Sequence, residues 1–245
     1  MNLAEKYRAK KYSELLGQDI AIEEMKLFLR QFPKKKALIL YGPAGTGKTS
    51  LVLAAAKENN LEILELNSSD LRNKKKLEET LRPATQQQAL FKKGKIILMD
   101  EVDGVTGTDI GGIPELEDLI IQTKYPIIMT CNDVWQSKLS PIRAKSKLVE
   151  MKALTLDKII SLLLKISENE NFKKNPLILK QIAIKSQGDL RAAINDLESY
   201  SLSDSQIDLT EKRDINENVF NILRRLFKER GDFLDLLDHS ELSID

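Results

Sequence analysis

Short apolar runs alternate with longer amphipathic stretches along the first part of the chain. Short apolar runs between polar segments are typical of buried strands, and the longer stretches are typical of helices. The predicted strands are Ala37–Tyr41, Leu61–Leu66, Ile96–Met99, Pro126–Thr130 and Lys147–Met151. The predicted helices that follow are Lys48–Asn59, Asn73–Phe91 and Ile113–Thr123. Strands that alternate with helices in this way predict an α/β domain with a mostly parallel sheet.

The pattern changes after Ala153, where strand signals stop and helical periodicity begins. One helix is predicted to begin near Thr155, with apolar residues along one of its faces. Another begins at Pro176, and Gly188-Asp189 caps a third helix that ends near Tyr200. This part of the chain therefore predicts a small all-α domain.

The last part of the chain consists of a polar segment, residues 201–213, and an amphipathic stretch around Val219–Phe227. We interpret the polar segment as a linker. The amphipathic stretch has no neighbours of its own, so it is expected to pack on another subunit or on residues beyond this chain. We predict an α/β domain over residues 1–152, an all-α domain over residues 153–208, and the start of a further helical domain over residues 209–245.

Composition limits the classes of protein that the chain can belong to. It has 42% hydrophobic and 31% charged residues, which is typical of a soluble globular protein. No run approaches the ~20 apolar residues of a membrane span, and the N-terminus has no secretory pattern. With one cysteine, Cys131, and one histidine, His239, we expect no intrachain disulfide, no zinc site and a cytoplasmic location. The net charge of +1 does not indicate nucleic-acid binding, so any DNA contact must come from a local basic stripe or from partner subunits.

A glycine-rich phosphate-binding loop, the P-loop, lies between the first predicted strand and its helix. Its pattern is G-x-x-x-x-G-K-[ST], in the strand–loop–helix context that this motif requires. Glycines allow backbone N–H groups to surround an anion, and the helix N-terminus adds partial positive charge. Lys48 is expected to reach the β- and γ-phosphates and Thr49 to offer its hydroxyl to Mg²⁺; the alternative is a glycine-rich turn with no ligand. The predicted nucleotide-binding residues of the loop are Gly42, Pro43, Ala44, Gly45, Thr46, Gly47, Lys48, Thr49 and Ser50.

Two acidic residues follow the apolar strand Ile96–Met99. The carboxyl end of a strand in an open α/β sheet is where ligands bind. We therefore expect Asp100 to hold Mg²⁺ and Glu101 to activate a water for attack on the γ-phosphate. The alternative is a solvated strand end. No Asn-Lys-x-Asp motif for reading guanine is present, so the pair favours ATP as the nucleotide and hydrolysis as the reaction.

Two further polar residues occupy informative positions. Asn132 follows the strand Pro126–Thr130, and it would face the γ-phosphate if that strand lies beside the strand of Asp100. A buried amide satisfied by the backbone is the alternative. Arg191 is in the first turn of a predicted helix in the second domain, where it could reach the triphosphate and couple domain closure to the ligand. An ordinary surface arginine is the alternative there.

The order of the motifs resembles replication factor C, the AAA+ clamp loader of archaea and eukaryotes. The motifs are Glu5-Lys-Tyr-Arg, Gly17-Gln18-Asp19, the P-loop, Asn67-Ser-Ser-Asp70, Asp100-Glu-Val-Asp-Gly104, Cys131-Asn-Asp133 and Gly188-Asp-Leu-Arg-Ala-Ala-Ile-Asn-Asp196. Local variants of these motifs resemble the archaeal large-subunit type in particular. The resemblance covers essentially the whole chain. It implies an AAA+ nucleotide domain, a helical lid domain and the start of a helical collar.

The resemblance also implies roles for individual residues. Glu101 is similar to the catalytic glutamate of the family, with Lys48 as the phosphate contact and Thr49 and Asp100 on the Mg²⁺ side. Asn132 and Arg191 match the first and second sensors. The segments that wall the adenine site correspond to Tyr7, Arg8, Gln18 and Asp19. Arg72 corresponds to a place where clamp loaders touch the DNA backbone, although by charge alone Arg72 and the nearby lysines could equally be a solvated run.

The chain departs from the family pattern in two ways. Small subunits carry Ser-Arg-Cys after the sensor strand, and this arginine completes the neighbouring subunit's ATP site. Lys145 replaces it here, and a lysine cannot make the forked contact of an arginine. We therefore expect this subunit to receive an arginine finger without donating one. The chain also ends just inside the collar region, as expected of a truncated large subunit or one half of a split one.

The resemblance implies an ATPase that uses ATP and Mg²⁺ to help open a sliding clamp and load it onto primer–template DNA. The implied partners are small subunits of replication factor C, the sliding clamp (PCNA) and that DNA, with no membrane. Three alternatives remain open from the residues. They are another AAA+ DNA-processing machine, an ATP-gated scaffold that does not hydrolyse its own nucleotide, and a small-molecule kinase on a P-loop.

Overall fold

The computed structural model describes residues 2–67, 93–104, 112–172 and 175–202. Arg72, the predicted helix Asn73–Phe91, most of the predicted linker and the last amphipathic stretch lie outside the described residues. The predictions made for them therefore stay predictions.

The described strands form one parallel five-stranded sheet in the order β2-β3-β4-β1-β5. The strands are β1 (Ala37–Tyr41), β2 (Leu61–Asn67), β3 (Gly94–Asp100), β4 (Ile127–Cys131) and β5 (Ser146–Glu150). All five predicted strands are confirmed, with small shifts at their ends. The order places β4 between β3 and β1, so the carboxyl ends of these three strands are adjacent at one edge of the sheet.

Helices cover both faces of the sheet, which explains why the central strands are apolar along their whole length. The helices are α2 (Asp19–Gln31), α3 (Lys48–Glu58), α4 (Gly112–Gln122) and α5 (Ser140–Lys145). Successive strand residues point to opposite faces: Leu38 and Leu40 pack with α2 and α3, whereas Ala37 and Ile39 pack with α4 and α5. The α/β fold class is confirmed.

Helix α2 was not among the predicted elements. Its buried residues Ala21, Ile22, Met25 and Phe28 follow the helical period and contribute to the core on the α3 side of the sheet. It begins directly after Gln18, a residue that supports the P-loop.

Three helices follow the sheet and form the predicted all-α unit. They are α6 (Leu156–Asn169), α7 (Pro176–Lys185) and α8 (Leu190–Leu202). Asn175 caps α7 by accepting from the Leu177 N–H at 3.1 Å, and Pro176 occupies the first turn, where no backbone donor is needed. Asp189 accepts from the Ala192 N–H at 2.9 Å at the start of α8. No helix among the described residues has the length and apolar character needed to cross a membrane.

The first residues of the chain pack on this helical unit. Helix α1 (Leu3–Lys6) places Leu3 in the same apolar cluster as Leu163 and Ile194. The Leu3 N–H donates to Glu198 Oε2 on α8 at 3.2 Å. The helical core therefore includes residues from both ends of the described chain, while the domain boundary near residue 152 stays a prediction.

Candidate functional site

The P-loop connects β1 to α3 and has a backbone that depends on glycine. Gly42, Gly45 and Gly47 have φ values of 140°, 68° and 92°, in the region that side chains disfavour. A Cβ on Gly42 would lie 2.1 Å from Met151 O, and one on Gly45 would lie 1.8 Å from Asp189 Oδ1. The loop is thus closely covered at two points, by the segment after β5 and by the start of α8.

Gln18 supports the loop from behind. It is buried, and its Nε2 donates to Thr46 O at 3.3 Å and to Lys152 O at 2.8 Å. Thr46 is also buried, and its hydroxyl donates to Pro43 O at 3.0 Å. These contacts stabilise the loop backbone, and through Lys152 they join it to the connection between the sheet and α6.

Lys48 lies at the centre of the site. Its Nζ donates to Gly42 O at 2.7 Å, to Pro43 O at 2.8 Å and to Asn132 Oδ1 at 3.0 Å. Burial lowers the pKa of Lys48, and nearby acidic groups oppose that effect. The ammonium is therefore held at the mouth of the loop, where it can contact phosphate oxygens.

The carboxyl end of β3 brings the predicted metal-side residues together. Thr49 Oγ1 donates to Asp100, with 3.2 Å to Oδ1 and 3.1 Å to Oδ2. Thr130 on β4 also donates its hydroxyl to Asp100 Oδ1 and accepts from the Glu101 N–H at 3.0 Å. A hydroxyl and a carboxylate oxygen are ligands that suit Mg²⁺ when phosphates and waters complete the shell.

Glu101 has an unusual backbone. Its φ of 56° is in the left-handed region, which is uncommon for a residue other than glycine and is frequent at functional sites. The hydrogen bond from its N–H to Thr130 and one from the Gly104 N–H to its carbonyl at 2.9 Å hold this conformation. The side chain is exposed, and it is next in sequence to Asp100.

Asn132 lies beside these acids because β4 pairs with β3. Its N–H donates to Asp103 Oδ2 at 2.8 Å, and its side-chain oxygen accepts from Lys48. The amide is exposed and bound to Lys48 rather than buried against the backbone. The strand that precedes Asn132 thus lies beside the strand of Asp100, as the prediction for Asn132 requires.

A cavity of about 630 Å³ lies between the P-loop, the N-terminal residues and the helices α6 and α8. This volume is in the usual range for small-ligand sites. Its walls include predicted site residues, namely Tyr7, Arg8, Gly45, Thr46, Gly47, Ser50 and Arg191. Gln18 and Asp19 do not line it: Gln18 is behind the P-loop, and Asp19 is exposed at the start of α2.

Two side chains of α8 fit a polar ligand in this cavity. Arg191 is exposed and lines the cavity, and no ion pair joins it to an acid in the part of the chain that the structure describes. Asn195, one turn further along, also lines the cavity, and its Oδ1 is buried without a hydrogen-bond partner. Buried acceptors normally have a partner, so this oxygen is an acceptor that is left unused in the structure.

The sequence analysis did not identify several residues that shape the site. Thr130 was part of a predicted strand, and its signal was one hydroxyl at the end of an apolar run. Asp103 belongs to the quoted acidic motif but had no assigned role. Asn195 lies in the same motif as Arg191, four positions further on, and this spacing places both on one face of a helix.

Lys145, which replaces the family's arginine, forms an ion pair with Glu117 Oε1 on α4 at 2.5 Å. The nearby Arg143 donates to Val134 O at 2.8 Å, and its guanidinium lies 5.1 Å from the centre of the Trp135 ring. Both cations therefore contact residues of this chain.

The fold and the site define a P-loop nucleotide-binding domain with a helical lid. Residues 38–149 match the family model for the "ATPase family associated with various cellular activities (AAA)", and residues 161–202 match the "RCF1/5-like, AAA+ ATPase lid domain". The chain belongs to the AAA ATPase family, and it is similar to archaeal proteins named replication factor C large subunit.

Three relatives illustrate this similarity, and each is named replication factor C large subunit. The relative from Staphylothermus marinus is 39% identical over 98% of this chain and 59% of its own length. The relative from Aeropyrum pernix is 43% identical over 90% of this chain and 48% of its own length. The relative from Nanoarchaeum equitans is 42% identical over 91% of this chain and 54% of its own length. The chain thus spans about half the length of the curated relatives that it matches.

Proposed function

We propose that this chain is the ATP-binding and ATP-hydrolysing part of a clamp-loader subunit. The observation that carries the proposal is the meeting of Lys48, Thr49, Asp100, Glu101 and Asn132 at one edge of the sheet. Each has the chemistry that triphosphate hydrolysis needs.

The proposed roles follow from the contacts. Backbone N–H groups of the P-loop and Lys48 Nζ bind the phosphates, and Lys48 exchanges its contacts with loop carbonyls for phosphate oxygens. Glu101 orients a water and accepts its proton, while Asn132 holds that water by hydrogen bonds. Thr49 and Asp100 are the residues that would hold Mg²⁺, which would neutralise charge on the phosphate oxygens.

The lid would close on the phosphates through α8. Arg191 points its charge into the cavity that Gly45 also lines, and a bound triphosphate would attract it. Asp189 already contacts the P-loop next to Gly45. Nucleotide binding would thus set the angle between the lid and the sheet, and this angle is the mechanical output that a ring of subunits would use.

The proposal extends to the assembly. A ring of this subunit with replication factor C small subunits would open the sliding clamp (PCNA) and load it onto primer–template DNA, with Arg72 as a candidate contact to the DNA backbone. Lys145 is engaged with Glu117, which supports a subunit that receives an arginine finger rather than donating one. A finger supplied in trans is typically worth ~10³–10⁵ in rate, so turnover by the chain alone would be slow. A cytoplasmic location fits this role.

The test is steady-state ATP hydrolysis by the chain alone and with small subunit, clamp and primed DNA, beside Lys48→Ala. Stimulation by clamp and DNA that disappears in Lys48→Ala would support the clamp-loader proposal. ATP binding without stimulated turnover in any mixture would instead support an ATP-gated scaffold. Stimulation by DNA without any effect of the clamp would favour another AAA+ DNA-processing machine.

A further inference from the structure

The first residues of the chain form a short arm, residues 2–8, that is attached to the lid at two places. At the first, Leu3 is 5% exposed within the apolar cluster of the lid, and its N–H donates to Glu198 Oε2 at 3.2 Å. The residues that meet here are 195 positions apart in the sequence. No local pattern in the sequence indicates this contact.

Glu170, directly after the last turn of α6, makes the second attachment. Its carboxylate accepts a short hydrogen bond from the Tyr7 hydroxyl and forms an ion pair with Lys6 Nζ at 2.6 Å. Hydrogen bonds from Lys6 and Tyr7 lower the pKa of Glu170, so the carboxylate is ionised at neutral pH. One carboxylate thus holds two neighbouring side chains of the arm, and charge-assisted hydrogen bonds of this kind are the stronger ones.

The arm is also a wall of the nucleotide cavity. Tyr7 and Arg8 line it from the arm, while Leu162 and Asn195 line it from the lid. Gly45, Thr46 and Gly47 of the P-loop line it as well. A nucleotide whose phosphates occupy the P-loop therefore has its nucleoside end between the arm and the lid.

The chain leaves the lid and joins the sheet domain within a few residues after the arm. Tyr12 is buried in the core on the α3 side of the sheet, and its N–H donates to Glu58 Oε1 at 2.7 Å. The second connection between the two units is the segment 152–155, which follows β5. Among the described residues, the chain therefore crosses between the two units at residues 9–11 and at residues 152–155, and the arm is on the lid side of both.

We infer that Glu170 is a positioning residue for nucleotide binding: it fixes Tyr7 to the lid, so that the arm and the lid form one wall against the nucleoside and move together when the lid closes. This inference rests on the proposed function, because it takes the cavity to be the nucleotide site. It assigns no chemical step to Glu170.

The experiment compares the full chain with Glu170→Ala, Glu170→Gln, Tyr7→Phe and the Tyr7→Phe/Glu170→Ala double variant. Isothermal calorimetry measures the Kd for ATP, and hydrogen–deuterium exchange measures protection of the amides of residues 3–8 without nucleotide. Asp196→Asn is the matched control, because it removes another lid ion pair, Lys185 Nζ–Asp196 Oδ2 at 3.1 Å, which does not involve the arm.

We expect Glu170→Ala to raise the Kd for ATP roughly two- to tenfold, the range for losing one charge-assisted contact at a partly exposed site. Exchange of the arm amides is expected to accelerate. Glu170→Gln keeps an acceptor for the Tyr7 hydroxyl and should recover part of the affinity. The double variant should be no weaker than the worse single one, because both remove the same contact.

Equal protection of the arm in wild type and Glu170→Ala would overturn the inference, whether or not ATP binds. A Kd that is unchanged in Glu170→Ala, or that rises equally in Asp196→Asn, would also overturn it. Failure of the wild-type chain to bind ATP would instead defeat the proposed function, and the exchange measurement would still show whether Glu170 fixes the arm.

Discussion

The side chains at the carboxyl edge of the sheet differ from one another in the contacts that they make. Lys48 joins the P-loop to Asn132, Thr49 joins the loop to Asp100, and Glu101 remains exposed beside them. The conformation of Glu101 depends on a hydrogen bond from its N–H to Thr130. Binding and hydrolysis should therefore be separable by single substitutions.

Lys48→Ala should severely weaken ATP binding. The substitution removes the only side-chain cation of the P-loop motif, so phosphate oxygens would lose a charged partner, and the Kd should rise by about 100-fold or more. Calorimetric titration with Mg-ATP measures the change. Lys57→Ala is the control, because Lys57 is an exposed lysine in the last turn of the same helix, α3. Comparable binding by Lys48→Ala and Lys57→Ala would contradict the assignment of the site.

Glu101→Gln should retain ATP binding but lose hydrolysis. Glutamine has the same shape but cannot accept the proton of the attacking water, and the loss of a general base typically costs ~10²–10⁴ in rate. The measurement is phosphate release in the complex with partner subunits, clamp and DNA, together with the Kd for ATP. Glu65→Gln, an exposed position on β2, is the control. Unchanged turnover in Glu101→Gln would favour the ATP-gated scaffold.

The contact between the P-loop and α8 couples two elements that are far apart in the sequence. Asp189 caps α8 through the Ala192 N–H and at the same time packs against Gly45. A change in the loop at Gly45 would therefore displace the start of α8, the lid helix that carries Arg191. This contact requires close approach of two backbones, which only glycine permits.

Gly45→Ala should move the start of α8 away from the P-loop. Its Cβ would lie 1.8 Å from Asp189 Oδ1 and 2.9 Å from Asp189 Cα, so α8 would have to move. The left-handed φ of 68° adds a cost of about 1–2 kcal/mol for alanine. We expect a Tm lower by several degrees and weaker ATP binding, measured by thermal unfolding with and without Mg-ATP.

Gly94→Ala is the control for this substitution. Its Cβ would meet only the flexible Leu61 Cδ2 at 3.3 Å, and its backbone is not in the left-handed region. A smaller loss of stability and unchanged ATP binding are therefore expected. Equal effects of the two substitutions would show that the Gly45–Asp189 contact does not control the site.

The two packed layers on either side of the sheet bury groups that must stay neutral. Burial raises the pKa of Tyr12 to about 12 from 10.0 and the pKa of Cys131 to about 12 from 9.0. Tyr12 is in the core on the α3 side and Cys131 in the core on the α4 side. Both layers are therefore sensitive to alkaline pH.

Stability should decline in alkaline solution. In the unfolded chain the thiol and the phenol lose protons near their ordinary pKa values of 9.0 and 10.0, whereas in the folded chain they do so only near 12. The contribution of these groups to the free energy of unfolding is therefore fully present below about pH 9.0, the ordinary pKa of the thiol. It is lost progressively as the pH rises toward 12. The urea concentration at the midpoint of unfolding should therefore decrease as the pH is raised from about 7 to about 11.

The double variant Tyr12→Phe/Cys131→Ala tests the cause of this decline. It lacks both ionisable groups, so its urea midpoint should fall less steeply over the same window. An identical decline in wild type and double variant would show that other groups determine the alkaline sensitivity.

Local patterns in the sequence suffice for the strands, for most of the helices and for the nucleotide chemistry. Apolar runs identify β1, β3 and β4 because both faces of a central parallel strand must be buried. The P-loop can be recognised because its glycines, Lys48 and Thr49 are consecutive. Helix α2 was not predicted, although the helical period of its apolar residues is regular and was sufficient to indicate it.

The tertiary structure alone decides which distant residues meet. Strand order places Asn132 beside Asp100 and gives Thr130 its role at Glu101. The attachment of Tyr7 to Glu170 and the packing of Asp189 on Gly45 each join residues more than a hundred positions apart. Such contacts leave no periodic signal, because periodicity reports only which face of an element is buried. What packs against that face depends on how the whole chain folds.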